Sequence, residues 1–379
     1  MAAVRTLMNT QLPRWSWTAD ETGSNVSFVA MHDRSIDVIL NNQRGEGFVK
    51  QVFRLLLAGC GKGGTVIDIG SNTGYYSMAS AAHGCPVLAI DAQPGCRQWF
   101  EAARAANDEN ATRTGAPSWF SRDRVRLITQ PVSTNTQPVE IDMWACWVMH
   151  KIDVRVKRRR RRAGAISPPP PASAHASSSQ RPPPPPPPPP LLTDPDAHVQ
   201  PGKLALRPID GEKLMALLPP KEPILLAKVD TEGAELGVLR ALEPLLPRAS
   251  NLVVEIAPGW WPLYTNRTSR RGSKQAGADV AASLAIRSVG AQQVSRLLAA
   301  TSGDDEPGFG FAAALTSTGR HFTRSDRLHE FLMRMGGNGY WNQVDVWFSR
   351  DAASVKAAKK LICLRSQSAV RAKAACDKW

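Results

Sequence analysis

Apolar residues recur along this chain as short, nearly unbroken runs set between stretches of helical period. The clearest runs are Thr65–Gly70 (TVIDIG), Pro86–Asp91 (PVLAID), Ile224–Asp230 (ILLAKVD) and Asn251–Ala257 (NLVVEIA). A short apolar run closed by turn residues is the pattern of a strand buried on both faces, as in a parallel sheet. Arg124–Gln130 reads as a further strand, and Ser35–Leu40, Phe309–Thr316 and Gln343–Ser349 read the same way. Val139–Met149 alternates less cleanly and predicts an additional strand. Between the runs, Gly47–Ala58 carries Phe48, Val52, Leu55 and Leu56 at helical spacing. Pro94–Asn107, Ala234–Leu246 and Ala276–Ala300 predict further helices, and Lys356–Lys378 a basic helical tail. Strands alternating with helices predict an α/β fold, a doubly wound and mainly parallel sheet with helices on both faces.

Composition changes this picture at one place. Residues 157–202 hold 15 of the 30 prolines, nine of them consecutive from Pro182 to Pro190. Such a segment cannot bury enough apolar surface to fold by itself. Domain organisation follows: an extension over 1–34, a single domain from 35–156 and 203–350, an insert over 157–202, and a tail over 351–379. In polyproline II geometry the nine prolines extend about 28 Å. A rod of that kind fits the aromatic grooves of SH3-, WW- or profilin-like partners, or serves as an inert spacer.

The charge of +14 is as uneven as the proline content. Residues 151–162 carry eight Lys/Arg against one acid, and residues 350–379 eight against two. These arms can meet an acidic partner or stand as solvated appendages. Nucleic acid is not the expected partner, because the charge lies outside the folded sequence and no aromatic–basic interleaving accompanies it. No apolar run is long enough for a transmembrane helix. The six cysteines and seven histidines show no zinc or paired-ligand spacing, so no metal site is expected. Reduced thiols in the cytoplasm are the simplest expectation, with a short organelle transit peptide as the alternative.

Candidate chemistry gathers at strand ends. Asp68-Ile69-Gly70-Ser71-Asn72-Thr73-Gly74 closes one buried strand and opens a helix. In open α/β sheets, ligands bind at that edge. A dinucleotide fingerprint would place glycines at 70, 72 and 75, where this chain has Gly70, Asn72 and Tyr75. The D-x-G-x-N-x-G pattern suits S-adenosylmethionine better than a pyrophosphate. Asp91 closes the next strand, followed by Ala92 and Gln93; a carboxylate there can accept both ribose hydroxyl protons.

GTVIDIGSNTGYYSMAS, LAIDAQP, ILLAKVDTEGAELGVLRALEPLL and LVVEI together resemble the FkbM family of class I S-adenosylmethionine-dependent methyltransferases. The family's first motif corresponds to Asp68, Gly70, Asn72, Gly74, Tyr75 and Tyr76. Its fourth-strand motif, K-[IV]-D-x-E-G-x-E, corresponds to Lys228, Asp230, Glu232, Gly233 and Glu235. The family's L-D-D-L segment appears here only as Ile209-Asp210-Gly211-Glu212-Lys213-Leu214. The resemblance implies a Rossmann-like seven-stranded sheet and S-adenosyl-L-methionine as cofactor. It implies a cofactor site at Asp68, Gly70, Ser71, Asn72, Gly74, Tyr75, Asp91, Ala92 and Gln93. It also implies O-methylation of a hydroxyl on a small molecule or glycan. The alternatives are an inactive methyltransferase-like binding protein acting through its proline-rich and basic segments, or a nucleic-acid methyltransferase.

Methyl transfer needs the acceptor oxygen about 3 Å from the sulfonium methyl, in line with sulfur. A base within hydrogen-bond reach takes the hydroxyl proton. Asp230 and Glu232 are the candidate acidic lining, one of them the base. Glu235 has the alternative of capping a helix. Lys228 lies on the same strand face as Asp230 and can pair with it. Residues 130–133 and Glu255 fall at the same edge. Trp260 and Trp261 offer an aromatic wall or ordinary core.

Overall fold

A computed structural model describes residues 14–16, 26–29, 47–115, 117, 119–142, 146, 202–261, 276–298, 308–316, 320–336 and 343–365. Arg14–Ser16 (β1) and Ser27–Val29 (β2) form a small antiparallel pair. Then follow helix α1 (Gly47–Leu57), strand β3 (Thr65–Ile69), α2 (Tyr75–Ala82), β4 (Val87–Ile90), α3 (Pro94–Thr114) and β5 (Val125–Ile128). Next come β6 (Val139–Asp142), β7 (Lys203–Leu206), α4 (Gly211–Ala216), β8 (Ile224–Val229), α5 (Glu235–Leu242) and β9 (Asn251–Ile256). The remainder is α6 (Ala276–Arg296), β10 (Phe311–Ala314), β11 (Arg320–Phe322), α7 (Ser325–Gly336), β12 (Val344–Ser349) and α8 (Ala352–Arg365).

Eight strands form the main sheet, in the order β11-β10-β12-β9-β8-β3-β4-β5. Pairings from β9 to β5 are parallel, and those joining β12, β10 and β11 are antiparallel. The expected α/β sheet is therefore present, but with eight strands rather than seven. The extra strand, β11, is a three-residue edge too short to show a period in sequence. Within the predicted strand 139–149, the described strand residues are Val139–Asp142, and they stand outside this sheet. They form β6, which pairs with β7 as a separate two-stranded ribbon. The register places Asp142 opposite Lys203, so the proline-rich segment leaves and re-enters at adjacent positions. The predicted strand 35–40 and the insert 157–201 lie outside the described residues, as does the tail beyond 365. No described helix is long and apolar enough to cross a membrane.

Alternation along the strands splits the core into two layers. Ile67, Ile69, Leu88, Ile90, Leu252 and Val254 join Leu214, Leu239, Val294 and Leu328, from α4 to α7, on one face. Val66, Val87, Ala89, Leu226 and Val253 join Val52, Met78, Phe100 and Ala358, from α1, α2, α3 and α8, on the other. Every residue of β3, β4 and β10 is buried, and all but one in each of β8, β9 and β12, because both faces are covered there. Helix α3 runs seven residues beyond its expected end and stops at Gly115 in a left-handed conformation (φ 69°). Helix α5 ends four residues early, two positions before Pro244, which cannot continue it.

Four cysteines contradict the expected reduced thiols. Cys60 is bonded to Cys85, and Cys96 to Cys146. The fold brings together positions 25 and 50 residues apart, with no motif to announce either pair. The first bridge ties the entries to β3 and β4, and the second lies at the opposite, C-terminal edge of the sheet.

Candidate functional site

The chain turns outward from β3 to β4 and β5, then returns to lay β8 and β9 on the other side of β3. The switch point thus lies between β3 and β8, where a crevice opens at the carboxyl ends of an α/β sheet. The turns after these two strands touch. Asp230 N donates to Ile69 O at 2.9 Å. Gly70 has φ 80°, and a Cβ there would stand 1.7 Å from Asp230 O. Gly74 has φ 90°, and a Cβ would stand 2.6 Å from the Phe100 ring. Both glycines are dictated by closeness as well as conformation.

Asn72 sits at the tip of the turn with φ 50°, a conformation that asparagine tolerates better than most residues. Its amide donates to Asp91 Oδ2 at 2.7 Å, while the Gln93 amide donates to Oδ1 at 2.7 Å. Asp91 therefore bridges the turn after β3 and the loop after β4. Burial pushes its pKa up to about 6, despite the two amides that favour the ionised form. Ala92 packs against Val139, Ile141, Leu204 and Leu206 of the β6–β7 ribbon. Residues 131–133 are tied to Ile209: its amide donates to Pro131 O at 2.8 Å, and Ser133 N donates to Ile209 O at 3.1 Å.

Three side-chain atoms in this turn are buried without a hydrogen-bond partner: Asp68 Oδ1, Ser71 Oγ and Thr73 Oγ1. Leaving such a group unsatisfied costs about 1–3 kcal/mol each. Asp68 Oδ2 accepts from Ser77 Oγ at 2.6 Å. Burial raises the Asp68 pKa, against the attraction of Lys228. Tyr75 is buried with its ring edge-on to Tyr76, centroids 4.9 Å apart, so that ring is part of the core.

A second set of acids lines the β8 side. Lys228, 3% exposed, donates to Asp230 Oδ2 at 2.7 Å and lies 4.9 Å over the Tyr76 ring. Burial works to raise the Asp230 pKa, but Lys228 and hydrogen bonds from Lys228 and Glu255 hold it below the ordinary range. Glu255 moves the other way, pushed well up by burial and by the Asp230 charge. The two carboxyls are thus pushed in opposite directions, Asp230 toward the ionised form and Glu255 toward the protonated one. Asp345 stands opposite Glu255 in the β9–β12 register. Glu232 adopts φ 52° and accepts from Gln343 Nε2 at 3.0 Å. Carboxylate oxygens of Asp230, Glu232 and Glu255 lie within 4.8 Å of one another, close enough to share a proton or a cation. The sequence placed all three acids at this edge; their mutual closeness comes from the sheet, which lays β9 beside β8.

Glu235 has a structural task. It is fully buried at the start of α5, where Oε1 accepts the Gly233 amide at 2.5 Å and Oε2 the Trp261 indole N–H at 3.0 Å. Burial pushes its pKa up to about 8, so it is neutral at pH 7. Trp261 is itself fully buried against Gly290, and Trp260 is buried beside it, so the pair belongs to the core.

The structure therefore gathers Asp68, Gly70, Ser71, Asn72, Gly74, Asp91, Ala92 and Gln93 along one side of a crevice and Asp230, Glu232 and Glu255 along the other. No protein-family model, no curated protein and no solved structure matches this chain.

Proposed function

We propose that the chain is an S-adenosylmethionine-dependent methyltransferase acting on a hydroxyl of a small molecule or glycan. The observation that carries this reading is the Asp68–Gly74 turn itself. It combines close-approach glycines, a left-handed Asn72 joined to Asp91, and three buried polar atoms that lack partners. A ligand with ribose hydroxyls and an ammonium group supplies donors to such acceptors. Asp91 keeps a second lone pair on each carboxylate oxygen for the ribose. A pyrophosphate is a poor fit, because its negative charge would meet Asp68 and Asp91.

The cofactor supplies an electrophilic methyl on a cationic sulfur. Gly70, Ser71 and Asn72 hold its amino-acid and ribose portions, and Asp91 orients the ribose. Across the crevice, Asp230 stays ionised through Lys228 and counters positive charge there. With such a methyl donor and a hydroxyl acceptor bound, Asp230 or Glu232 would take the hydroxyl proton as the acceptor is methylated. A labelled-methyl screen of small hydroxyl compounds, glycans and RNA tests the proposal. Transfer to a hydroxyl compound supports it; transfer only to RNA replaces it with the nucleic-acid reading, and no transfer leaves a binding protein.

A further inference from the structure

The Cys96–Cys146 bridge lies at the proposed cofactor crevice and not merely in the fold. Cys96 is in the first turn of α3, three residues beyond Gln93, whose amide holds Asp91. Cys146 lies four residues beyond the end of β6. Their sulfurs are 3.7 and 3.5 Å from Asn72 Oδ1, the side chain at the tip of the turn. The ribbon that Cys146 continues rests its small apolar cluster on Ala92. Among the described residues that cluster contains four buried side chains, Val139, Ile141, Leu204 and Leu206. An isolated two-stranded ribbon is marginal in water, so its seat on the crevice depends on additional anchoring. The covalent bond from Cys146 to α3 provides it.

We infer that the Cys96–Cys146 disulfide is a redox clamp on the crevice: oxidised, it seats the β6–β7 ribbon over Ala92 and beside Asn72; reduced, it releases the ribbon. Opening is thiol–disulfide exchange. A thiolate of an external dithiol attacks one sulfur, forming a mixed disulfide and freeing one cysteine thiolate. The second thiol of the reductant displaces the other cysteine, so two electrons pass to the protein and the reductant leaves as its own disulfide. Reduction also gives the two sulfurs S–H protons that can donate to Asn72 Oδ1, where the bridged sulfurs only abut it. Cys60–Cys85 provides an internal control, since it lies at the far end of the same strands.

The ligand arm of the test rests on the cofactor reading; the exchange arm does not. In the full chain carrying Cys60→Ser and Cys85→Ser, only the clamp is left to reduce among the four bridged cysteines. Hydrogen exchange is followed with and without dithiothreitol. The inference expects faster exchange on reduction at residues 139–142 and 203–206 and at the Asn72 and Gln93 amides, with β3 and β8 unchanged. S-adenosylmethionine affinity falls about tenfold, a coupling in the ordinary range. By linkage, saturating ligand then lowers the midpoint potential of the bridge by about 30 mV. The Cys96→Ser/Cys146→Ser variant behaves as the reduced form without reductant. Unchanged exchange overturns the clamp, as does unchanged affinity for a ligand that both states bind. Altered exchange with no binding of S-adenosylmethionine in either state supports the clamp and removes the cofactor reading.

Discussion

Asp91 makes the cofactor site pH-sensitive in a window set by its own pKa. The carboxylate is 5% exposed, and burial places its pKa at about 6. Ribose hydroxyls donate to the ionised form, so binding requires the proton to leave first. At pH 7 about nine-tenths of the free protein is ionised at Asp91, and at pH 5 about one-tenth. Affinity for S-adenosylmethionine should therefore fall about tenfold between pH 7 and pH 5, or about 1.4 kcal/mol. Stability moves in the opposite sense. A carboxyl whose pKa is raised by folding favours the native state while protonated, and that contribution is lost as pH rises. For Asp91 the loss runs from about pH 4 to about pH 6 and amounts to about 3 kcal/mol. The assay is calorimetric titration at half-unit steps from pH 5 to pH 7, beside Asp91→Asn. The variant should bind more weakly at pH 7 and show a flat profile. An equally steep profile in Asp91→Asn, or a flat one in the wild type, would refute the assignment.

Three further outcomes follow from the geometry. Deleting residues 157–200 should leave the melting temperature within a few degrees of wild type in a thermal scan, because Asp142 and Lys203 already pair and loop closure depends weakly on length; a large drop would give the insert a structural role. Gly70→Ala should cost at least about 2 kcal/mol in denaturant unfolding, since the left-handed backbone is unfavourable to alanine and its Cβ would overlap Asp230 O. Asp230→Asn should lower methyl-transfer turnover by about 10²–10⁴ when assayed well below its melting temperature, which itself falls because buried Lys228 loses its charged partner, whereas loss in Glu232→Gln alone would move the base to Glu232.

What sequence could and could not reveal divides along physical lines. The strands β3, β4, β8 and β9 were legible because burial on both faces leaves an unbroken apolar run. Gly70 and Asp91 were legible because a strand end has a fixed place in such a sheet. Glu255 was visible as a strand residue, but its closeness to Asp230 depends on the β8–β9 register. The two disulfides were hidden for the same reason: Cys96 and Cys146 meet only when the β6–β7 ribbon folds onto α3. β6 was legible as an additional strand, but its run carries no sign of which neighbour it pairs with. Trp261 and Glu235 illustrate the reverse case, where chemistry-bearing residues at the right spacing turn out to anchor each other in the core.

The central claim is that the β3–β4 edge of the crevice holds S-adenosylmethionine. The most direct test is calorimetric titration of the oxidised full-length chain with S-adenosylmethionine, S-adenosylhomocysteine and NAD, repeated with Asp91→Ala. The account predicts one site per chain for both sulfur nucleosides, weakened by about 1.5–3 kcal/mol in the variant, and no saturable heat with NAD. Binding of NAD in their place, or affinity for S-adenosylmethionine that Asp91→Ala leaves unchanged, would contradict it.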